Sequence, residues 1–138
     1  MKTRAPHAIS NPKAAAGFGK ETNDCAVRAM ANSFGVPYAY AHAAMKAAGR
    51  KEGKGTRLAD IHEVVISEHG GKRGVQIERI GKGVGQSQVS IGVFCKYHPH
   101  GSFYCIVRGH AFAVVNGVVQ DSGFNKAGRR IYKAYEIV

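Results

Sequence analysis

Apolar residues recur at helical spacing along the first part of the chain and at strand spacing along the last. Val27, Met30, Ala31 and Phe34 stand at i, i+3, i+4 and i+7, one stripe of an α-helix, behind the capping run Glu21-Thr22-Asn23-Asp24. Gly35 ends that helix, and Pro37 opens a second, alanine-rich one that runs to about Ala48 and closes at Gly49. After a basic, glycine-rich loop over 49–55, Thr56 is placed to cap a third helix with Leu58, Ile61, Val64 and Val65 inward, stopped by Gly70-Gly71. Val75 to Ile80 reads as a short strand and 81–85 as a loop. Ser87 then caps a fourth helix with Val89, Val93, Phe94 and Tyr97 inward, broken at Pro99.

From Ser102 the rhythm is that of strands: Phe103 to Val107, Ala111 to Val115, Val118 to Asp121 and Ile131 to Val138. Helices come first and strands last. That segregation predicts an α+β fold, N-terminal helices packed on a C-terminal antiparallel sheet, because a doubly wound fold would alternate the two. Residues 1–20, with Pro6, Pro12, Gly17 and Gly19 and no apolar period, read as an irregular basic arm, and 21–138 as a single domain.

The length of 138 residues is enough for one core and too short for two. A hydrophobic fraction of 44% with 21% charged residues is that of a folded chain. No apolar run reaches the roughly 18 residues a membrane-spanning helix needs, and no apolar stretch follows the basic N-terminal residues, so neither membrane nor export is expected. Cys25, Cys95 and Cys105 are an odd number and cannot all pair within one molecule, which points to a reducing, cytoplasmic setting. Twenty Lys and Arg against nine Asp and Glu give a net charge of +11, a field that attracts nucleic acid, anionic lipid or acidic protein. The charges are dispersed over Lys2, Arg4, Lys13 and Lys20, the Arg50-Lys51-Glu52-Gly53-Lys54 loop, Lys72-Arg73 and Arg129-Arg130, which is a general basic surface and not one reading helix.

The sharpest local signal is Asn116-Gly117 between two apolar runs, the mark of a type I′ hairpin. If Val115 pairs with Val118, then Phe112 faces Asp121, and His110 shares the strand face of Phe112. His110 and Asp121 become diagonal neighbours at about 7 Å between backbones, a gap two polar side chains can close. A carboxylate on one imidazole nitrogen fixes the tautomer and leaves the other nitrogen free as a base. Cys25, in the first turn of the first helix, supplies a nucleophile where unpaired N–H groups and the helix dipole favour the thiolate.

A helix-borne cysteine followed by a strand-borne histidine and aspartate resembles the papain-like cysteine peptidase superfamily in its Cys, His, Asp order. It is similar in particular to small bacteriophage-encoded cysteine peptidase-like proteins, in Thr22-Asn23-Asp24-Cys25, in Gly49-Arg50-Lys51 with Gly55-Thr56, and in the run from Gly109-His110-Ala111-Phe112 to Gln120-Asp121-Ser122. The resemblance covers about residues 20 to 123. It implies a papain-like fold, a peptide or protein substrate, a host-cytoplasmic setting, and a Cys25–His110–Asp121 triad acting through an acyl-enzyme. The same parts would serve a deamidase or acyltransferase. The chain departs from the family pattern in having no Gln just upstream of the cysteine, where Gly17-Phe18-Gly19-Lys20-Glu21 stands. The oxyanion donors would then be the Cys25 amide and the Asn23 side chain, unless Asn23 only caps the helix.

Other chemistries fit less well. Cys95, His98, His100, Cys105 and His110 invite a zinc reading, yet no C-x-x-C knuckle is present and Cys105 has the opposite strand parity to Tyr104 and Ile106, so core cysteines with surface histidines is the simpler account. Gly81-x-Gly-x-Gly85 lacks the Gly-Lys-Ser/Thr of a phosphate loop. Thiol acylation itself needs no metal or cofactor. The competing class is a non-enzymatic basic module binding a host protein or nucleic acid, although the aromatic-basic interleaving of single-strand binders is missing.

Overall fold

The computed structural model describes residues 7–8, 23–51, 53–77, 89–120 and 128–138. In chain order the elements are β1 (His7–Ala8), α1 (Cys25–Phe34), α2 (Tyr38–Ala47), α3 (Leu58–Ile66), β2 (Gly74–Gln76), β3 (Val89–Ser90), α4 (Ile91–Tyr97), β4 (Ser102–Val107), β5 (His110–Val115), β6 (Val118–Gln120), β7 (Arg130–Ile131) and β8 (Lys133–Ile137). The fold is α+β. No helix among the described residues is long and apolar enough to cross a membrane.

One sheet, in the order β1-β6-β5-β4-β8-β2, organises the rest. Its five strands from β6 to β2 are mutually antiparallel, and β1 adds a parallel edge beside β6. The arm read as irregular thus contributes a two-residue strand, one too short to carry a periodic signal. A separate antiparallel pair, β3 with β7, completes the strands.

Strand alternation puts a core on each face. Tyr104, Ile106, Ala111, Tyr135 and Ile137 meet α1, α2 and α3 through Met30, Phe34, Met45, Ile61 and Val65. The other face carries Phe103, Cys105, Val107, Phe112 and Val114 against Ile91, Phe94 and Cys95 of α4. Every member of the expected α1 stripe is buried. Gly35 ends α1 in the left-handed region at φ +67°, its N–H bonded to the Ala31 carbonyl.

The hairpin forms in the expected register, with Val115 opposite Val118, Val114 opposite Val119 and Ala113 opposite Gln120. Asn116 (φ +50°) and Gly117 (φ +75°) both take the left-handed conformation that a type I′ turn demands.

Four expectations are corrected. Leu58, the first residue of α3, is 46% exposed, because Arg57 and not Thr56 holds the N-cap position and the buried face runs through Asp60, Ile61, Val64 and Val65. Helix α4 begins at Ile91, with Ser90 Oγ accepting from the Val93 N–H at 3.3 Å; Val89 is buried but in a strand, and Val93 and Tyr97 face outward. The strand from Val75 is seen as Gly74–Gln76. The last strand is divided at Tyr132, whose N–H donates to the Ile106 carbonyl of β4. Ser87, the end of the 75–80 strand and Asp121 lie outside the described residues.

Candidate active site

Two pins seat α1 on the sheet. The buried hydroxyl of Tyr104, on β4, donates to the Ala26 carbonyl at 3.0 Å in the helix's first turn. Near the other end, the Asn32 amide donates to the Gln120 carbonyl of β6 at 3.3 Å. Held so, the helix lies against β5 and β4 and brings its first residue, Cys25, to the first residue of β5, His110.

Cys25 and His110 are joined by a side-chain hydrogen bond, and the backbone N–H of Ala111 also reaches the sulfur. Burial alone would raise the thiol pKa. Against it act the His110 hydrogen bond, the Ala111 N–H, and the positive charges available on His110 and Arg28, and together they take Cys25 below the ordinary thiol value. The His110 ring lies almost parallel to that of Phe112, with centroids 6.3 Å apart, as two residues on one strand face should.

The residue before Cys25 is also built in. Asp24 is buried, accepting from Arg28 Nε at 3.2 Å and from the Tyr38 hydroxyl at 2.7 Å. The i, i+4 spacing of Asp24 and Arg28 was legible as a helical ion pair, though not that Arg28, three residues after Cys25, would also support the thiolate. The roles of Tyr104 and of the Ala111 N–H had no sequence signal, since both depend on how α1 docks.

Asn23 is neither a cap nor loose. It sits at φ +53°, and its Nδ2 donates to the Gly53 carbonyl at 2.9 Å, tying the entry of α1 to the basic loop. Asp24 occupies the N-cap position without a side-chain cap bond. Asp121 lies outside the described residues, one step beyond the last pair of the β5–β6 ladder.

The other two thiols are of a different kind. Cys95 on α4 and Cys105 on β4 are buried in the second core; burial pushes Cys95 up to about 11 and Cys105 well above the ordinary value. Among the described residues no group of three or more His, Cys, Asp or Glu is placed to hold a metal ion. Compared with known proteins, the chain matches no family model, no curated protein and no solved structure.

Proposed function

We propose that this chain is a thiol hydrolase of papain-like architecture, acting as a peptidase through an acyl-enzyme on Cys25. The observation that carries the reading is the Cys25–His110 hydrogen bond, made by residues from a helix start and a strand start, with the thiol pKa drawn below its ordinary value although the group is largely buried.

The chemistry follows from these parts. His110 takes the Cys25 proton, and the thiolate adds to the scissile carbonyl carbon, moving its π electrons onto oxygen. The backbone N–H of Cys25, at the first position of α1, and the second amide hydrogen of Asn23 serve that oxyanion. Collapse expels the amine, which receives its proton from His110 and leaves a thioester. Water then attacks the thioester as it gives a proton to His110, and the thiolate departs. Asp121 orients His110 and stabilises the imidazolium.

Two measurements test the reading. A limiting dose of iodoacetamide at neutral pH, read by intact mass, is expected to label Cys25 first in the wild type and to lose that preference in His110→Ala. A peptide library should then yield new N-termini with wild-type protein and none with Cys25→Ala; release of ammonia without chain cleavage would reassign the enzyme as a deamidase. Equal labelling of all three thiols in the native protein would overturn the proposal.

A further inference from the structure

The two-residue turn between β4 and β5 forms one wall of a cleft. Arg108 and Gly109 make that wall, and Arg129, Arg130 and Tyr132 make the other, around about 780 Å³. The walls are joined: Arg129 Nη2 donates to the Arg108 carbonyl at 2.9 Å, and the Tyr132 N–H donates to the Ile106 carbonyl at 3.1 Å. The first of these bonds ties one wall to the other, and the second ties Tyr132 to β4. Among the described residues five line the cleft, of which three carry a guanidinium and none a carboxylate. Guanidinium forks match carboxylates in plane and charge, which makes the cleft selective for an anion.

Its position gives the charge a use. Gly109 is followed directly by His110, and Tyr132 packs against the same core cluster as Cys25. A side chain added at Gly109 would meet no atom within 4 Å, so the turn is open to a chain lying across it. The residue next in the chain to this wall is thus the proposed general base.

We infer that the cleft is an anionic-side-chain subsite, taking an Asp or Glu of the peptide near the bond to be cut. The inference rests on the thiol-hydrolase reading and names its substrate class. A cleft of this volume holds one or two residues, whereas a nucleic acid strand needs a basic track with aromatic stacking platforms along it. A charge held here fixes the neighbouring carbonyl over the sulfur, so the binding energy is realised as faster acylation.

The test uses acetylated peptides ending in a chloroacetamide, with Glu, Gln or Lys at the position next to the electrophile, and follows Cys25 alkylation by intact mass at pH 7. The Glu probe is expected to react about tenfold faster than the Gln probe, the size of one charge-assisted hydrogen bond. The Lys probe should be slowest. In an Arg108→Ala, Arg130→Ala variant the Glu probe should slow to the rate of the Gln probe. Arg129 is retained because it ties the two walls, and Arg108 serves that tie through its carbonyl alone. Raising the salt should shrink the Glu-to-Gln ratio in the wild type, a readout that needs no variant. If iodoacetamide singles out Cys25 while the three probes react alike, the subsite is wrong and the thiol reading stands. If iodoacetamide does not single out Cys25, the thiol reading has failed and the subsite goes with it. A single-stranded oligonucleotide that protects Cys25 at a lower concentration than the Glu peptide would overturn the assignment in favour of nucleic acid.

Discussion

A thiol withdrawn from water ordinarily becomes a weaker acid, since burial penalises the anion, and Cys95 and Cys105 follow that rule. Cys25 departs from it because burial is outweighed by His110, the Ala111 N–H and Arg28. The sign of the effect sets the pH dependence. Alkylation proceeds through the thiolate, so the rate at Cys25 should rise through a midpoint below that of an ordinary thiol and then level off. In His110→Ala the hydrogen bond and the imidazolium charge are both gone while burial remains, and the midpoint should move upward. A rate profile from pH 5 to pH 10 measures both; identical midpoints would show that His110 has no hold on the sulfur. At pH 8 Cys95, pushed up to about 11, should remain almost wholly thiol.

At the scale of the element, the third helix separates what periodicity shows from what it leaves open. Ile61 and Leu58 are three residues apart and share the apolar pattern, yet Ile61 is 4% exposed and Leu58 46%. Ile61→Ala should therefore cost about 2–5 kcal/mol, as core truncations do. Leu58→Ala should stay within about 0.5 kcal/mol, as exposed substitutions do. Urea denaturation of the two variants decides it, and equal losses would place Leu58 in the core. Strand β2 poses a second test. A Cβ at Gly74 would collide with the Val65 Cγ1 methyl and come within 2.7 Å of the Val65 carbonyl, a backbone atom that cannot swing away. Gly74→Ala should cost about 1–3 kcal/mol through overpacking between α3 and the sheet edge. A lower thermal midpoint checks this, and an unchanged one would show that the strand lies farther from α3.

For the molecule as a whole, the sheet is a spine with a core on either side, and the candidate site stands where the end of that spine meets the start of α1. The proposed nucleophile and base come from opposite halves of the chain, so their contact exists only in the assembled fold. Replacing Cys25 or His110 by Ala should each remove turnover of a confirmed peptide, and the double variant should be no worse than either single one, because neither residue has a task without the other. Multiplying losses in kcat/KM would mean that the two act separately. Circular dichroism of the three variants should match the wild type, since the pins on α1, Tyr104 with Ala26 and Asn32 with Gln120, are untouched.

What the amino-acid sequence determined by itself is whatever short-range chemistry dictates. Asn116-Gly117 specifies a turn with positive φ at both positions, and that turn imposes the β5–β6 register; the i, i+3, i+4, i+7 stripe of α1 is likewise buried in full. Tertiary structure alone decided which face of a short helix turns inward. In α4, seven residues long, Val93 is as apolar as Cys95 and nearly as apolar as Ile91, and only the sheet beneath selects among them. It also decided the edge strand β1, whose two residues are ordered by pairing with β6 and not by any pattern of their own. The meeting of Cys25 with His110 and the Ala111 N–H, and the joining of Arg108 to Arg129, belong to the same class. Each is a contact between segments far apart in the chain, and periodicity within a segment holds no information about the angle and offset at which two segments pack.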